Sequence, residues 1–221
     1  MTSDAAKPIE GRLHGVSLSP FVRKVRAVLA IKGIEYELVP VMPGAMAPEF
    51  LSLSPLSKVP VWEEEGFSVP DSSVIAAYLE RVVPTPSVLP EDPRRMARDL
   101  FWEEYADTRL VETGAPIFFQ RIVRAKVFGE MADEELVRRH AEDLLPPVLD
   151  QLEALFVPEV DFERLTVGAL SIWAPLVNLE HADLALDRER WPGLAAFVDR
   201  LSADPNLAPL IEEERAMLGG H

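Results

Sequence analysis

Three short stretches carry side chains whose type and spacing could act on a small molecule. In the first, Ser19 stands directly before Pro20 and an apolar run that also holds Arg23, Lys24 and Arg26. Serine suits a helix N-cap and proline the first helical position. Ser19 is therefore expected at a positive helix pole, where a hydroxyl that donates one hydrogen bond can stabilise an anion. In the second, Asp71-Ser72 precedes Val74, Ile75, Tyr78 and Leu79, again a capped helix start and suited to a carboxylate. In the third, Lys58-Val59-Pro60 leads into the strand-like Val61-Trp62. Each stretch also has an ordinary reading: a plain helix cap for Ser19 and for Asp71-Ser72, an idle surface lysine for Lys58, a strand-edge proline for Pro60. Trp102, Tyr105, Arg109, Phe118 and Phe119 fit either a pocket lining or core and subunit packing. His14, His140 and His181 lack metal-ligand spacing and read as surface or core histidines. Glu212-Glu213-Glu214 reads as a solvated helix face.

The elements that must position these residues follow from local signals. Met1 to Lys7 is small and polar and is expected to fray. Gly11 to Val16 reads as extended, and the helix opened by Ser19-Pro20 runs through Val22, Val25, Val28, Leu29 and Lys32 to Gly33. Tyr36 to Val41 has strand composition. Pro43, Gly44 and Pro48 mark a loop before a short helix over Glu49 to Ser54. Val59 to Trp62 starts a strand, Glu65-Gly66 turns it into Phe67 to Val69, and Asp71 caps the next helix. This order predicts a small mixed α/β domain. Pro84, Pro86, Pro90 and Pro93 then make a stiff linker. Beyond it strand signals vanish. Helix composition covers 94–127, with a break expected at Gly114-Ala115-Pro116. Leu145, Val148, Leu149, Leu152, Leu155 and Phe156 form an apolar stripe, which Pro146-Pro147 should kink or begin. Further helices are expected over Thr166 to Ala182, Pro192 to Leu201 and Leu207 to Leu218. The domains are therefore placed at 8–84 and 93–221.

Composition narrows the chemistry. The net charge of −15 repels phosphate backbones and anionic lipid, so neither nucleic acid nor a membrane is an expected partner. The chain has no cysteine, which excludes disulfides and any cysteine nucleophile. The first residues lack a signal-peptide pattern, and no apolar run approaches the ~18 residues of a membrane span. A cytoplasmic location is expected.

The three stretches, in this order, resemble the glutathione transferase superfamily. SPFVRKVRAVLAIKGIEYE, from Ser19 to Glu37, is similar to the opening of its serine-type classes, tau and zeta above all, in bacterial-like cytosolic members. LSPLSKVPVW, from Leu53 to Trp62, resembles the family's loop before a cis-proline. PDSSVIAAYLE, from Pro70 to Glu80, resembles the motif that holds the γ-glutamyl end of glutathione. The resemblance implies a thioredoxin-like α/β N-terminal domain followed by an all-α helical bundle. It also implies a detoxification enzyme that uses glutathione as co-substrate, without a metal, on a small hydrophobic electrophile, and a homodimer. Residue by residue it places the thiolate-stabilising hydroxyl on Ser19. Glutathione contacts fall on Lys58, Val59, Pro60, Asp71 and Ser72, and the electrophile pocket on Leu18, Phe21, Tyr105 and Arg109. Phe21 stands where zeta isomerases favour a cysteine, which weighs against that isomerase activity. Ala169 stands where the family often has an acid three residues after a helix-capping serine or threonine, here Thr166. A non-catalytic relative, or a glutathione-dependent isomerase or peroxidase on the same site, are the alternatives.

Overall fold

The computed structural model describes residues 10–42 and 46–219. Met1 to Lys7 and the loop residues Pro43 and Gly44 lie outside the described residues. The chain divides into two compact units, the first ending at Pro86 and the second beginning at Ser87.

In the first unit, β1 (Gly11–His14) leads to α1 (Pro20–Lys32) and β2 (Tyr36–Val39), then α2 (Pro48–Leu53), β3 (Val61–Glu64), β4 (Phe67–Pro70) and α3 (Ser72–Val82). The four strands form one sheet in the order β2-β1-β3-β4. β1 and β2 are parallel, as a helical crossover requires, while β3 is antiparallel to both β1 and β4. Both turn residues of the β3–β4 hairpin have positive φ, Glu65 at 42° and Gly66 at 80°, the backbone that a two-residue hairpin needs. Gly11 is required by space: a Cβ there would lie 2.1 Å from the ring of the fully buried Trp62. β2 stops two residues short of the expected Val41, and Pro60 precedes β3 instead of joining it.

α1 begins at the Ser19 cap and ends at Gly33 in the left-handed conformation, whose N–H returns to Ala30 O. Its charged residues Arg23, Lys24, Arg26 and Lys32 are buried. The Lys32 ammonium donates to Glu80 Oε2 at 2.6 Å, Val83 O at 2.7 Å and Pro86 O at 2.9 Å, tying α1 to the end of α3. Glu64 ties the hairpin to the middle of α3, accepting from Trp62 Nε1 at 2.8 Å and from the Tyr78 hydroxyl. That hydrogen bond, with burial second, pushes the Tyr78 phenol up to about 12.

The second unit is helical: α4 (Pro93–Tyr105), α5 (Val111–Phe118), α6 (Glu134–Arg138), α7 (Leu145–Gln151), α8 (Val167–His181), α9 (Pro192–Ser202) and α10 (Ala208–Gly219). Asp92 caps α4, with Pro93 in its first turn. Wide π-turns over Ala106–Leu110 and Phe119–Val127 flank α5, so the helix expected to break at Gly114-Ala115-Pro116 continues through it. Tertiary packing overrides the local breaker: Gly114 lies against Leu179 of α8, where a Cβ would come within 3.4 Å. Pro146-Pro147 begin α7. Leu145, Val148, Leu149, Leu152 and Phe156 are buried, but Leu155 is exposed at the margin of the stripe.

α8 is buried along nearly all its length, which is why its sequence shows no polar face. Its N-terminus is capped by Thr166, whose Oγ1 accepts from Ala169 N at 3.3 Å. The acid that Ala169 does not supply comes from α4. Asp99 accepts from the Thr166 hydroxyl and, at 3.0 Å, from Gly168 N, where glycine leaves room for the approach. Burial pushes the Asp99 carboxyl up, with the hydrogen bonds from Thr166 and Gly168 opposing the shift. Since burial disfavours the charged form, a neutral acceptor can replace it. Asp99→Ala is expected to cost about 2 kcal/mol and Asp99→Asn less than about half of that, read by urea denaturation.

Glu214 departs from the solvated face expected for Glu212-Glu213-Glu214. Three consecutive helical residues span most of a turn, and Glu214 falls beside Leu210 and Ile211 on the core side. There it meets the buried His181 Nε2 at 2.9 Å.

Candidate active site

Ser19 ends the loop that leaves β1. Its φ of −72° and ψ of 128° are the extended geometry of an N-cap. Its Oγ accepts from Val22 N at 3.5 Å, a long and weak cap, and its O–H donates to none of the described residues. Ser19 is half-buried, whereas Ser17, the other serine of the loop, is buried. The hydroxyl at the pole of α1 is thus reachable, and its proton is uncommitted. Leu18 and Phe21, both half-buried, flank it along the chain.

The β1–α1 loop abuts the segment before β3. Gly15 lies against Val22 of α1 and against Val59, whose Cβ is 3.5 Å from where a glycine Cβ would stand. The Val59-Pro60 peptide bond is cis. Val59 makes no hydrogen bond to the described residues. Ser54, buried, pins the loop ahead of it: its Oγ donates to Lys58 O at 2.7 Å and accepts from Lys58 N at 3.1 Å. The Lys58 side chain is exposed. Ser54 was not among the residues singled out by sequence. Its signal is a serine four positions before the lysine, a spacing at which a side chain can close a local backbone loop.

Pro60 O accepts from Asp71 N at 3.3 Å, so the cis-proline loop and the start of α3 are adjacent. Asp71 has a φ of 80°, a conformation that costs a non-glycine residue about 1–3 kcal/mol and is retained where surroundings impose it. Its Oδ1 accepts both Ser73 N at 2.9 Å and Val74 N at 3.1 Å. The cap therefore uses one carboxylate oxygen and leaves Oδ2 for a ligand. Ser72, only 3% exposed, has no partner for its N–H or hydroxyl among the described residues. A hydroxyl and an amide without partners at a helix N-terminus suit a carboxylate, and the Asp71 oxygen beside them suits an amine.

These residues all belong to the first unit. Tyr105 and Arg109 belong to the second. The Tyr105 hydroxyl donates to Gln151 at 2.7 Å, and burial pushes its phenol up, while Arg109 is exposed. Trp102 and Phe118 are core residues, and Phe119 is exposed. His14 is buried against Glu63 at 2.7 Å and His140 bonds Thr113 O at 2.9 Å. Among the described residues no cluster of histidine and acids could hold a metal, and no helix is long and apolar enough to cross a membrane.

Residues 13–87 match the family described as "Glutathione S-transferase, N-terminal domain". A glutathione S-transferase of Pseudomonas putida is 30% identical over 216 residues, covering 94% of each chain. The crystal structure of a glutathione S-transferase from Rhodospirillum rubrum F11 superposes with a TM-score of 0.81 at 25% identity, over 90% of this chain and 91% of that one. Another, from Methylobacterium radiotolerans in complex with glutathione sulfonate, has a TM-score of 0.73 at 30% identity, over 91% and 94%. The chain belongs to the glutathione S-transferase family, with a thioredoxin-like first unit and a helical second one.

Proposed function

We propose that this glutathione transferase conjugates glutathione to small hydrophobic electrophiles through a thiolate stabilised by Ser19. The observation that carries the reading is Ser72, buried and without a partner at the N-terminus of α3, beside the open Oδ2 of Asp71. Glutathione ends in groups that complement them: Ser72 takes the γ-glutamyl carboxylate and Asp71 the amine. The backbone of Val59, ahead of Pro60, pairs with the cysteinyl residue as an added strand would. Lys58 offers a point charge to the glycyl carboxylate. The thiol then faces the Ser19 hydroxyl at the pole of α1. The thiol gives its proton to solvent and the thiolate sulfur bonds to the electrophilic carbon; in a substitution the leaving group departs with the electron pair of its bond to that carbon, and in an addition the anion formed from the broken π bond takes a proton from solvent. Leu18 and Phe21, which flank Ser19 along the chain, are assigned to the electrophile side of the first unit. The protein is expected to act as a cytoplasmic homodimer.

The site is tested by titration calorimetry with glutathione on the Asp71→Asn variant. Asparagine keeps the Oδ1 acceptor that caps α3 and removes the charge that pairs the amine. Affinity is expected to fall about 10-fold or more, with thermal stability changed little. Unchanged affinity would remove the γ-glutamyl end from this place.

A further inference from the structure

We propose that a cleft formed by α8, α9 and α10 binds a small amino acid or short peptide that carries two ammonium groups and one carboxylate. The cleft lies wholly within the second unit. Its volume of about 700 Å³ falls inside the roughly 300–1,000 Å³ of small-molecule sites. Glu180, Asp183, Arg188, Asp199 and Arg215 line it. Two of these are closed on each other, since Arg188 donates to both oxygens of Asp199 at 2.7 and 2.9 Å. The side chains of Glu180, Asp183 and Arg215 make no hydrogen bond and no ion pair with the described residues. Ser202, also in the lining, accepts from Trp173 Nε1 at 3.0 Å, and its O–H donates to none of the described residues.

Glu180 is the penultimate residue of α8 and is half-buried. The helix dipole puts partial negative charge at that end, so a cation is favoured there. Burial pushes the Glu180 carboxyl up, and Arg215, the largest opposing influence, offsets this only in part. A carboxylate partly removed from water attracts a cation more strongly than an exposed one does. Charge then sorts the ligand. Two carboxylates and one guanidinium remain uncommitted, and their complement is two ammonium groups and one carboxylate. Glu180 and Asp183 take the ammonium groups. Arg215, with its planar fork, and the Ser202 hydroxyl take the carboxylate. A simple anion would meet two acids, and a simple diamine would leave Arg215 opposing it.

The test is titration calorimetry of the full chain with lysine, glycyl-lysine and glycyl-lysine amide, on the wild type, Glu180→Gln, Arg215→Gln and Asp71→Asn. Lysine or glycyl-lysine is expected to bind the wild type saturably below about 10 mM. Glu180→Gln is expected to weaken that binding about 5-fold or more, and Arg215→Gln likewise. The amide lacks the carboxylate, so Arg215→Gln should leave its binding within about twofold. Asp71→Asn should leave all three within about twofold. Should Glu180→Gln lower the melting temperature, Arg215→Gln, at an exposed residue, decides through the comparison of acid with amide. Failure of both lysine and glycyl-lysine to bind below about 10 mM overturns the proposal. So does binding that Arg215→Gln leaves unchanged, or that Asp71→Asn weakens instead, which would put the ligand in the first unit.

Discussion

Ser19→Ala is expected to lower kcat/KM by about 10- to 100-fold near neutral pH, and to move its alkaline rise upward by about one to two pH units. The argument is one of magnitudes. A free thiol ionises near ~8.5, so only a few per cent is thiolate at neutral pH. A hydrogen bond to a charged acceptor is worth about 1.5–3 kcal/mol, which lowers the thiol by about one to two units. Ser19 has that bond to give, since its proton is uncommitted among the described residues. The alanine variant loses the donor but keeps the helix pole of α1. Its rate should therefore converge on that of the wild type once the pH passes the raised thiol value. Folding is a separate matter. The cap bond from Val22 N to Ser19 is 3.5 Å long, so its loss belongs at the low end of capping effects, about 0.5 kcal/mol. A uniform fall in rate at every pH, without movement of the profile, would contradict thiolate stabilisation.

Lys32→Met is expected to destabilise the protein by about 3–5 kcal/mol while leaving the pH profile in place. The Lys32 side chain is fully buried and Glu80 nearly so. Removing the ammonium takes the donor at 2.6 Å from Glu80 and the donors from Val83 O and Pro86 O. The loss is a large fraction of the stability of an ordinary domain. Urea denaturation measures it directly. Lys32→Met with Glu80→Gln should cost less than the sum of the two single changes, because both break the same ion pair. Lys32 lies at the far end of α1 from Ser19, about 20 Å along the helix axis. Chemistry at Ser19 should therefore be unaffected in the folded fraction. A loss below about 1 kcal/mol would mean that the buried ion pair contributes nothing that methionine packing cannot replace.

The elements of the first unit were legible because their signals are local. Ser19-Pro20 and Gly33 bracket α1, Glu65-Gly66 turns the hairpin, and Asp71 starts α3, all within a few residues of what they control. What escaped reading depends on partners distant in the chain. The acid at the start of α8 is Asp99, 67 residues before the threonine it meets, so Ala169 alone suggested a missing cap. Glu214 is buried because His181, 33 residues earlier, awaits it. Pro116 stays inside a helix because wide turns on both sides and packing against α8 outweigh a local breaker.

The candidate site divides in the same way. Ser19 and Asp71-Ser72 can be read one by one as helix caps, and both are caps in the structure. Their use as a ligand site depends on the bond from Asp71 N to Pro60 O and on the contact of Gly15 with Val59, neither of which has a local signature.

The central claim is that Ser19 holds the sulfur of glutathione as an anion. Its most direct test is an ultraviolet titration of the thiolate of bound glutathione, in the wild type and in Ser19→Ala. The bound thiol is expected to ionise about one to two units below free glutathione in the wild type, and at or near the free value in the variant. Equal ionisation in the two proteins would show that the helix pole or another group, and not the Ser19 hydroxyl, stabilises the thiolate.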